Sequence, residues 1–198
     1  MNIGIFIYPD AEVLDFSGPY EVFSTASRVC DGSKPFTVFL IAEHNAVVSA
    51  RAGFKVLPDY SIEDHPPLDV LVISGGVHTS EMHNKVVTDW IERQAHSVKL
   101  IATVCTGIFL LAKAVQSLSC TVTTHRDDIP DLRNMFSRLN VVDGVRWVDE
   151  GNIVSSGGIS AGIDMSLHLV SRLRGEELAV KTAQQMEFTR TKNTYPTA

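Results

Sequence analysis

The 198-residue chain lacks the features that identify membrane, secreted and nucleic-acid-binding proteins. Its 17 lysine and arginine residues are outnumbered by 23 aspartate and glutamate residues, which gives a formal net charge of −6. This balance argues against a nucleic-acid or anionic-membrane partner, because both require a positive field. No apolar run approaches the roughly 18 residues of a membrane span, and the amino-terminal segment lacks the basic start of an export signal. We therefore expect a cytoplasmic protein without a membrane or nucleic-acid partner.

Cysteine is scarce, with Cys30, Cys105 and Cys120 as the only three. They cannot all pair within one chain and none has C-x-x-C spacing, so we expect reduced thiols. Cys30 and Cys120 have no acid or base near them in the sequence, which favours a structural role. Metal-ligand spacing is also missing among the histidines outside the candidate site, which are His44, His65, His78, His83, His96 and His168. The sequence predicts neither a metal site nor a cofactor.

Short apolar runs alternate with longer amphipathic segments along the whole chain. The predicted strands are Ile3–Tyr8, Phe36–Ala42, Leu68–Ser74, Lys99–Val104, Cys120–Thr123, Asn140–Asp143, Arg146–Asp149 and Asn152–Ser155, with a small hairpin over Val47–Val56. The predicted helices are Gly18–Val29 (with Ser17 as its N-cap), Lys85–Ser97, Thr106–Val115, Asp131–Phe136, Ala161–Leu173 and Glu176–Phe188. This alternation indicates a single α/β domain, residues 1–188, with a mostly parallel sheet covered by helices on both faces. A polar tail, 189–198, follows, and we expect it to be loosely held.

The sharpest motif is LIATVCTGIFLLAKA, in which a buried strand ends at Val104 and a helix opens at Thr106. Cys105 occupies the tight turn between them, as a nucleophile does in a strand–turn–helix elbow. The positive end of the helix favours a thiolate, so we expect a lowered pKa for Cys105. The alternative is a core cysteine packed between strand and helix.

Glycine and acidic residues follow the neighbouring predicted strands. Gly75 and Gly76 come at the end of LVISGG, where their amides could stabilise an oxyanion or simply form a tight turn. Asp15, flanked by apolar residues, is a candidate acid–base group. The alternative is that its negative charge only stabilises the positive end of the helix dipole. Glu21 competes for that role or caps the first turn, and His125 at a strand end is either a pocket residue or structural. Parallel strands end at one edge of a sheet, so these side chains are expected to lie together.

Five motifs together resemble the ThiJ/PfpI superfamily, the class I glutamine-amidotransferase-like cysteine proteins. They are LDFSGPYEVF, LVISGG, TVCTGIFLLA, TVTTH and SSGGISAGIDMSL, and they extend over nearly the whole chain. Asp15 followed by GPYEVF, and Cys105 followed by Thr106, most resemble the isonitrile (isocyanide) hydratase branch. Thr106 stands where peptidase-type members have histidine, which counts against proteolysis.

The resemblance implies a flavodoxin-like, doubly wound fold and a homodimer. It implies that Cys105 is the nucleophile, that Asp15 hydrogen-bonds to it, that Thr106 supplies a neighbouring hydroxyl, and that Gly75 and Gly76 form the amide-bearing turn. The implied activity is that of a hydro-lyase: the Cys105 thiolate adds to the terminal carbon of an isonitrile, Asp15 helps to protonate it, and water releases an N-substituted formamide from the thioimidate. No cofactor is implied.

Two other functions stay open at this stage. One is a non-enzymatic domain that senses a small molecule or oxidation at Cys105, since similar modules form the sensing domains of AraC-type regulators and an exposed low-pKa thiolate oxidises readily. The other is glyoxalase- or deglycase-like chemistry on 2-oxoaldehydes, although that branch has glutamate where this chain has Asp15. Arg126 follows His125 where the superfamily commonly has an aromatic residue, which would change the charge of the pocket.

Overall fold

The computed structural model describes residues 1–32 and 34–195. Its strands are β1 (Asn2–Phe6), β2 (Thr37–Ala42), β3 (Val48–Ser49), β4 (Lys55–Val56), β5 (Tyr60–Ser61), β6 (Val70–Ile73), β7 (Leu100–Val104), β8 (Thr121–Val122), β9 (Asn140–Val141), β10 (Trp147–Asp149) and β11 (Ile153–Ser156). Its α-helices are α1 (Val13–Val29), α2 (Thr79–His83), α3 (Lys85–Ser97), α4 (Gly107–Ala114), α5 (Ile129–Met135), α6 (Ala161–Arg174) and α7 (Glu176–Gln185).

Seven strands form one sheet in the order β10-β11-β7-β6-β1-β2-β5. Every neighbouring pair in it is parallel except β10 with β11. The central strands β6 and β7 are buried along their whole length, as expected for a sheet covered on both faces. The predicted α/β, flavodoxin-like fold is confirmed, and β3 and β4 form the predicted hairpin.

The helices pack in two groups. Helices α1, α6 and α7 contact one another, and α2, α3 and α4 form the second group. Each group contributes an apolar face to a continuous core, in which the Phe6 ring packs at a tilt against Trp90 and Phe23 packs edge-on against Phe36. None of the helices in the described part of the chain is both long and apolar enough to cross a membrane.

Several boundaries differ from the sequence prediction. Helix α1 begins at Val13, not at Gly18, so Ser17 is not an N-cap; its hydroxyl donates to the Val13 carbonyl inside the helix. The early start places Asp15 in the first turn. Strands β8 and β9 pair only with each other, in a separate two-stranded parallel sheet. Helix α2 and the edge strand β5 were not predicted, because each is too short to show a hydrophobic period.

The described part of the tail is held to the domain, contrary to the expectation that it is loose. The Thr191 amide donates to Asp164 Oδ1 at 2.8 Å. The Asn193 side chain accepts from the backbone amides of Arg146 and Trp147 and donates to the Trp147 carbonyl. These bonds add the tail to the edge of β10. Residues 196–198 lie outside the described residues.

Gly107→Ala is expected to destabilise the protein by about 3 kcal/mol, because the start of α4 packs directly on the end of β6. A Cβ at position 107 would lie 2.2 Å from the Ile73 carbonyl oxygen, which belongs to a rigid central strand. Urea denaturation measures the loss. Gly157→Ala is the control, since its Cβ would make only ordinary contacts of 3.6 Å or more. Equal stability of the two variants would contradict this packing argument.

Candidate active site

Cys105 occupies a strained turn between β7 and α4. Its φ of 54° lies in the left-handed region that non-glycine residues rarely adopt, a strain typical of functional turns. Two bonds fix this backbone: the Cys105 amide donates to the Gly157 carbonyl, and its carbonyl accepts from the Thr124 hydroxyl at 2.8 Å. The residue is 7% exposed, so the thiol is nearly buried but still reaches a cavity. The predicted strand–turn–helix geometry is therefore present.

Gly75 and Gly76 follow β6 and lie directly against the elbow. The Gly75 amide donates to Asp15 Oδ2 at 3.2 Å, and the Gly76 amide donates to the Thr106 hydroxyl at 2.9 Å. The same hydroxyl donates to the Gly76 carbonyl at 3.0 Å. Both amides are thus engaged by side chains instead of pointing free into the cavity as an oxyanion hole requires. In this structure the two glycines hold Asp15 and Thr106 in place.

Asp15 is completely buried in the first turn of α1 and packs against the elbow. A Cβ on Gly75 would lie 2.7 Å from Asp15 Oδ2 and 2.8 Å from Cys105 Cβ, so only glycine permits this close approach. Asp15 Oδ1 is buried with no hydrogen-bond partner among the described residues. Burial, and then the charge of Glu12, raise the pKa of Asp15 from 3.8 to about 7, against the lowering effect of its contacts with Gly75 and Cys105. A carboxyl of this kind can exchange protons near neutral pH.

The pKa of the Cys105 thiol is raised far above its usual value, which is opposite to the expectation from the sequence. Burial is the main cause, and the Asp15 carboxylate beside the sulfur raises it further. The Thr106 backbone amide at the start of α4 acts in the expected direction but is outweighed. The resting site is therefore a neutral thiol next to a carboxyl that is partly ionised at pH 7.

A cavity of about 420 Å³ opens above the thiol. Four of the predicted site residues line it, namely Gly76, Cys105, Thr106 and His125. Its size suits a small organic molecule. A larger groove, about 670 Å³, lies beside α3 and the end of α4, but no cysteine or other activated nucleophile lines it.

Seven residues that were not predicted for the site also line the cavity, among them Glu12, Arg51 and His78, the last of which was expected to lie outside it. Glu12 and Arg51 approach to 4.0 Å at one side, and Arg51 belongs to the turn between β3 and β4. His78 lies at the other side, with its ring 4.4 Å from that of Phe109, and burial lowers its pKa. No local motif marks Arg51 or His78, because long-range packing of the hairpin and of α2 places them here, whereas Glu12 directly precedes α1 and its amide donates to the Gly75 carbonyl.

Four predicted residues do not line the cavity: Asp15 and Gly75 are packed behind the elbow, whereas Glu21 and Arg126 lie away from it. Glu21 is exposed on α1 and accepts hydrogen bonds from Thr25 and Arg28. Arg126 is 89% exposed and pairs with Asp127 instead of entering the cavity. His125 does reach it: its ring packs against Gly158, and its Nδ1 lies 3.3 Å from Asp128 Oδ2. In the described residues, no group of three His, Cys, Asp or Glu side chains is arranged to hold a metal ion.

Because Asp15 is buried, the protein is expected to lose stability as the pH rises from about 4 to about 7. In this range the folded state retains a proton on Asp15, whose pKa is raised from 3.8 to about 7, while the unfolded chain has released it. The stabilisation is complete below pH 3.8 and lost once the pH passes about 7. Relative to Asp15→Asn, which cannot ionise, the wild type should lose up to about 4 kcal/mol.

Urea denaturation of the wild type and Asp15→Asn between pH 3 and 9 measures this difference. Asp131→Asn, which removes an exposed carboxyl on α5, serves as the control and should follow the wild type. If the wild type and Asp15→Asn vary with pH in parallel, the Asp15 carboxyl is not the group that titrates.

Comparison with known proteins identifies the family. The sequence model of the DJ-1/PfpI family matches residues 1–172. Isonitrile hydratase of Pseudomonas putida is 31% identical over 189 residues, which cover 95% of this chain and 78% of the relative. The HTH-type transcriptional regulator GbdR of Pseudomonas aeruginosa is 24% identical over 97% of this chain, but the chain spans only 52% of that regulator.

The fold has close counterparts among solved structures. The crystal structure of a ThiJ/PfpI family protein from Pseudomonas syringae superposes with a TM-score of 0.84 at 22% identity, covering 96% of this chain and 76% of the other. The sequence match, the sheet order and the cysteine elbow lead to the same assignment. This chain belongs to the DJ-1/PfpI family.

Proposed function

We propose that this protein is a cysteine-dependent hydratase that converts a small isonitrile into an N-substituted formamide. The observation that carries the proposal is the buried Asp15 carboxyl, packed beside the Cys105 thiol under an open cavity, with no hydrogen-bond partner for its Oδ1 in the part of the chain that the structure describes. A nucleophile that lines the cavity is thus held together with a proton-transfer group packed directly behind it. The similarity to the isonitrile hydratase of Pseudomonas putida supports this substrate class.

In the first step, the Cys105 sulfur forms a bond to the terminal carbon of R–N≡C. Asp15 in its carboxylate form takes the thiol proton and delivers it to the same carbon. The product is the thioimidate R–N=CH–S–Cys105, and no atom or electron is left over. This order suits a thiol of raised pKa, because the sulfur gives up its proton only as the carbon–sulfur bond forms.

In the second step, water adds to the thioimidate carbon while Asp15 accepts a proton from it. Asp15 passes that proton to the nitrogen, the carbon–sulfur bond then breaks, and the hydroxyl proton of the adduct goes to the sulfur as R–NH–CHO leaves. The sum is R–N≡C plus water to formamide, with neither oxidant nor cofactor consumed. Splitting the hydration in two replaces one difficult addition by two easier ones.

The hydrogen bonds of Gly75 and Gly76 favour this chemistry over reactions at a carbonyl group. Acyl transfer and 2-oxoaldehyde conversion both develop an oxyanion that needs free donors. Here the two amides are held by Asp15 and Thr106. Addition of a thiol to an isonitrile carbon develops no oxyanion, so the first step needs no such pair of donors.

The experiment is to incubate the protein with a panel of alkyl and aryl isonitriles in ¹⁸O-enriched water. We expect N-substituted formamide carrying one ¹⁸O atom, measured by liquid chromatography and mass spectrometry. Acid quenching during turnover should trap the substrate mass on the peptide that contains Cys105. Formamide formation no faster than in protein-free buffer across the panel would overturn the proposal.

A sensing role is the second candidate, and the similarity to the regulator GbdR over about half of its length favours it. A sensor of oxidation would form sulfenic or sulfinic acid selectively at Cys105 under mild peroxide, without turning over any isonitrile. Peptide mass spectrometry distinguishes the two roles. The raised pKa of the thiol opposes rapid oxidation, because the thiolate is the form that reacts.

We also propose a homodimer in a reducing, cytoplasmic environment. Phe54 and Leu57, beside the β3–β4 hairpin, are 54% and 65% exposed, and we propose that the partner subunit covers them. Light scattering should give about twice the chain mass, and Phe54→Asp should shift the protein toward the monomer. A monomeric wild type at micromolar concentration would contradict this assembly.

A further inference from the structure

The second step of the proposed hydration leaves one hydrogen of the attacking water without an assigned acceptor. Asp15 takes one proton of that water, but its carboxyl is completely buried behind the elbow and does not line the cavity. The other O–H of the water is therefore directed toward the cavity, where it needs a hydrogen-bond acceptor. The Thr106 hydroxyl lines the cavity but already bonds to the amide and the carbonyl of Gly76. The acceptor has to come from another residue.

Three other polar side chains of the cavity wall are already engaged with protein groups. Glu12 Oε2 lies 4.0 Å from Arg51 Nε, and Asp128 Oδ2 lies 3.3 Å from His125 Nδ1. The Asp127 amide donates to the same ring nitrogen of His125. In the neutral His125 ring the remaining nitrogen, Nε2, then carries the proton and is a donor. The remaining titratable residue of the wall, apart from Cys105, is His78.

His78 presents a hydrogen-bond acceptor on the cavity wall. Its Nδ1 lies 3.4 Å from the Gly76 carbonyl oxygen, and because a carbonyl only accepts, Nδ1 carries the ring proton. The other ring nitrogen, Nε2, is then an acceptor, and within residues 1–32 and 34–195 it has no hydrogen-bond partner. The ring packs on that of Phe109, with centroids 4.4 Å apart. These contacts hold the imidazole at the cavity in one orientation.

The charge state of His78 suits an acceptor. Burial lowers the pKa of its imidazole, against the raising effects of the Gly76 contact and of the charges of Asp128 and Asp131. The ring is therefore neutral at pH 7. Only the neutral imidazole has a lone pair with which to accept a hydrogen bond from water.

We propose that His78 positions the water molecule that releases the formamide, through a hydrogen bond from that water to Nε2. This inference rests on the proposed hydration. No proton is transferred to His78, since the water oxygen bonds to the thioimidate carbon and the proton that the water loses goes to Asp15. The hydrogen bond keeps the water facing the carbon. It has no part in the first step, in which no water reacts.

His78→Phe tests this role, because phenylalanine keeps an aromatic ring against Phe109 and removes the acceptor. The protein is mixed rapidly with n-butyl isonitrile and quenched in acid, and intact-protein mass spectrometry gives the fraction that carries the Cys105 adduct over time. We expect the adduct to form at the wild-type rate and to be released about 10- to 100-fold more slowly, so that it accumulates. Release then limits turnover, so kcat and KM should fall together while kcat/KM, which reports the first step, stays unchanged.

His78→Gln, whose side-chain oxygen can accept the same hydrogen bond, should recover much of the release rate. His83→Phe, at the exposed end of α2 and outside the cavity, is the control and should behave like the wild type. If His78→Phe does not fold, His78→Ala removes the acceptor without adding a larger side chain and takes its place.

Release at the wild-type rate in His78→Phe would overturn the inference and leave the hydratase activity intact. A lower kcat/KM without accumulated adduct would overturn it as well, because His78 would then act in the first step or in the fold. If the wild type forms neither adduct nor formamide, the hydratase proposal itself fails, and this inference fails with it.

Discussion

Replacing Cys105 with alanine is expected to lower the rate of formamide formation by ~10⁴-fold or more, to the background without protein. In the proposed mechanism the thiol is the only protein group that bonds to the substrate carbon. Alanine keeps a Cβ, so the left-handed backbone at this turn is no more strained than with cysteine and the fold should persist. Rates are measured by product chromatography, and circular dichroism verifies folding.

Cys105→Ser gives a stricter version of the same experiment, because it preserves the shape and a hydrogen-bonding atom. We expect it to be inactive as well, since a hydroxyl beside a carboxyl of pKa about 7 is a far weaker nucleophile than a thiol. Cys30→Ala and Cys120→Ala should retain activity, because neither residue lines the cavity. Substantial turnover of isonitrile by Cys105→Ala would contradict the covalent mechanism.

The candidate site could be located from the sequence because its residues follow strands that lie side by side in a parallel sheet. Asp15, Gly75 and Cys105 come after β1, β6 and β7, and these three strands are neighbours in the structure. Once the α/β alternation is recognised, the common edge follows from the rule that parallel strands end together. A local motif plus one topological rule was therefore enough to bring these residues together.

The electrostatics of the site could not be predicted in this way. The helix start favours a thiolate at Cys105, and that contribution is present in the structure. Burial and the Asp15 carboxylate nevertheless raise the pKa of the Cys105 thiol. The distance of Asp15 from the sulfur depends on how Gly75 packs. The same packing decides which groups accept hydrogen bonds from the Gly75 and Gly76 amides. Sequence spacing contains no information on these distances.

The residues at the rim of the cavity also could not be predicted from local sequence patterns. Arg51 reaches it because its amide donates to the Ala11 carbonyl, which folds the β3–β4 turn back onto the start of α1. His78 precedes α2, a five-residue helix without a detectable period. Glu21 is a rival to Asp15 only if α1 starts at Gly18; the observed start at Val13, five residues earlier, places Asp15 and not Glu21 in the first turn.

Asp15→Asn is expected to reduce kcat/KM for an isonitrile by about 10²–10⁴-fold, the usual contribution of a positioned acid–base group. Asparagine preserves the shape and can still accept the hydrogen bond of the Gly75 amide. It cannot take the proton from the Cys105 thiol or return it to the substrate carbon. The thiol would then have to lose its proton unaided, which its raised pKa makes unfavourable.

The pH profile separates this role from a structural one. Wild-type kcat/KM should rise with pH to a plateau, with an apparent pKa near 7 that belongs to the Asp15–Cys105 pair, because the ionised carboxyl accepts the thiol proton. Asp15→Asn should lack that transition, and Glu21→Gln, an exposed acid-to-amide change on the same helix, should keep it.

Asp15→Asn is also expected to be more stable than the wild type above pH 7, since it no longer buries a carboxylate. A variant that gains stability while it loses turnover cannot owe its inactivity to unfolding. Such a result would mean that the protein accepts an unfavourable buried charge for the sake of proton transfer. Activity of Asp15→Asn within threefold of the wild type would instead assign proton transfer to another group, with His125 as the next residue to replace.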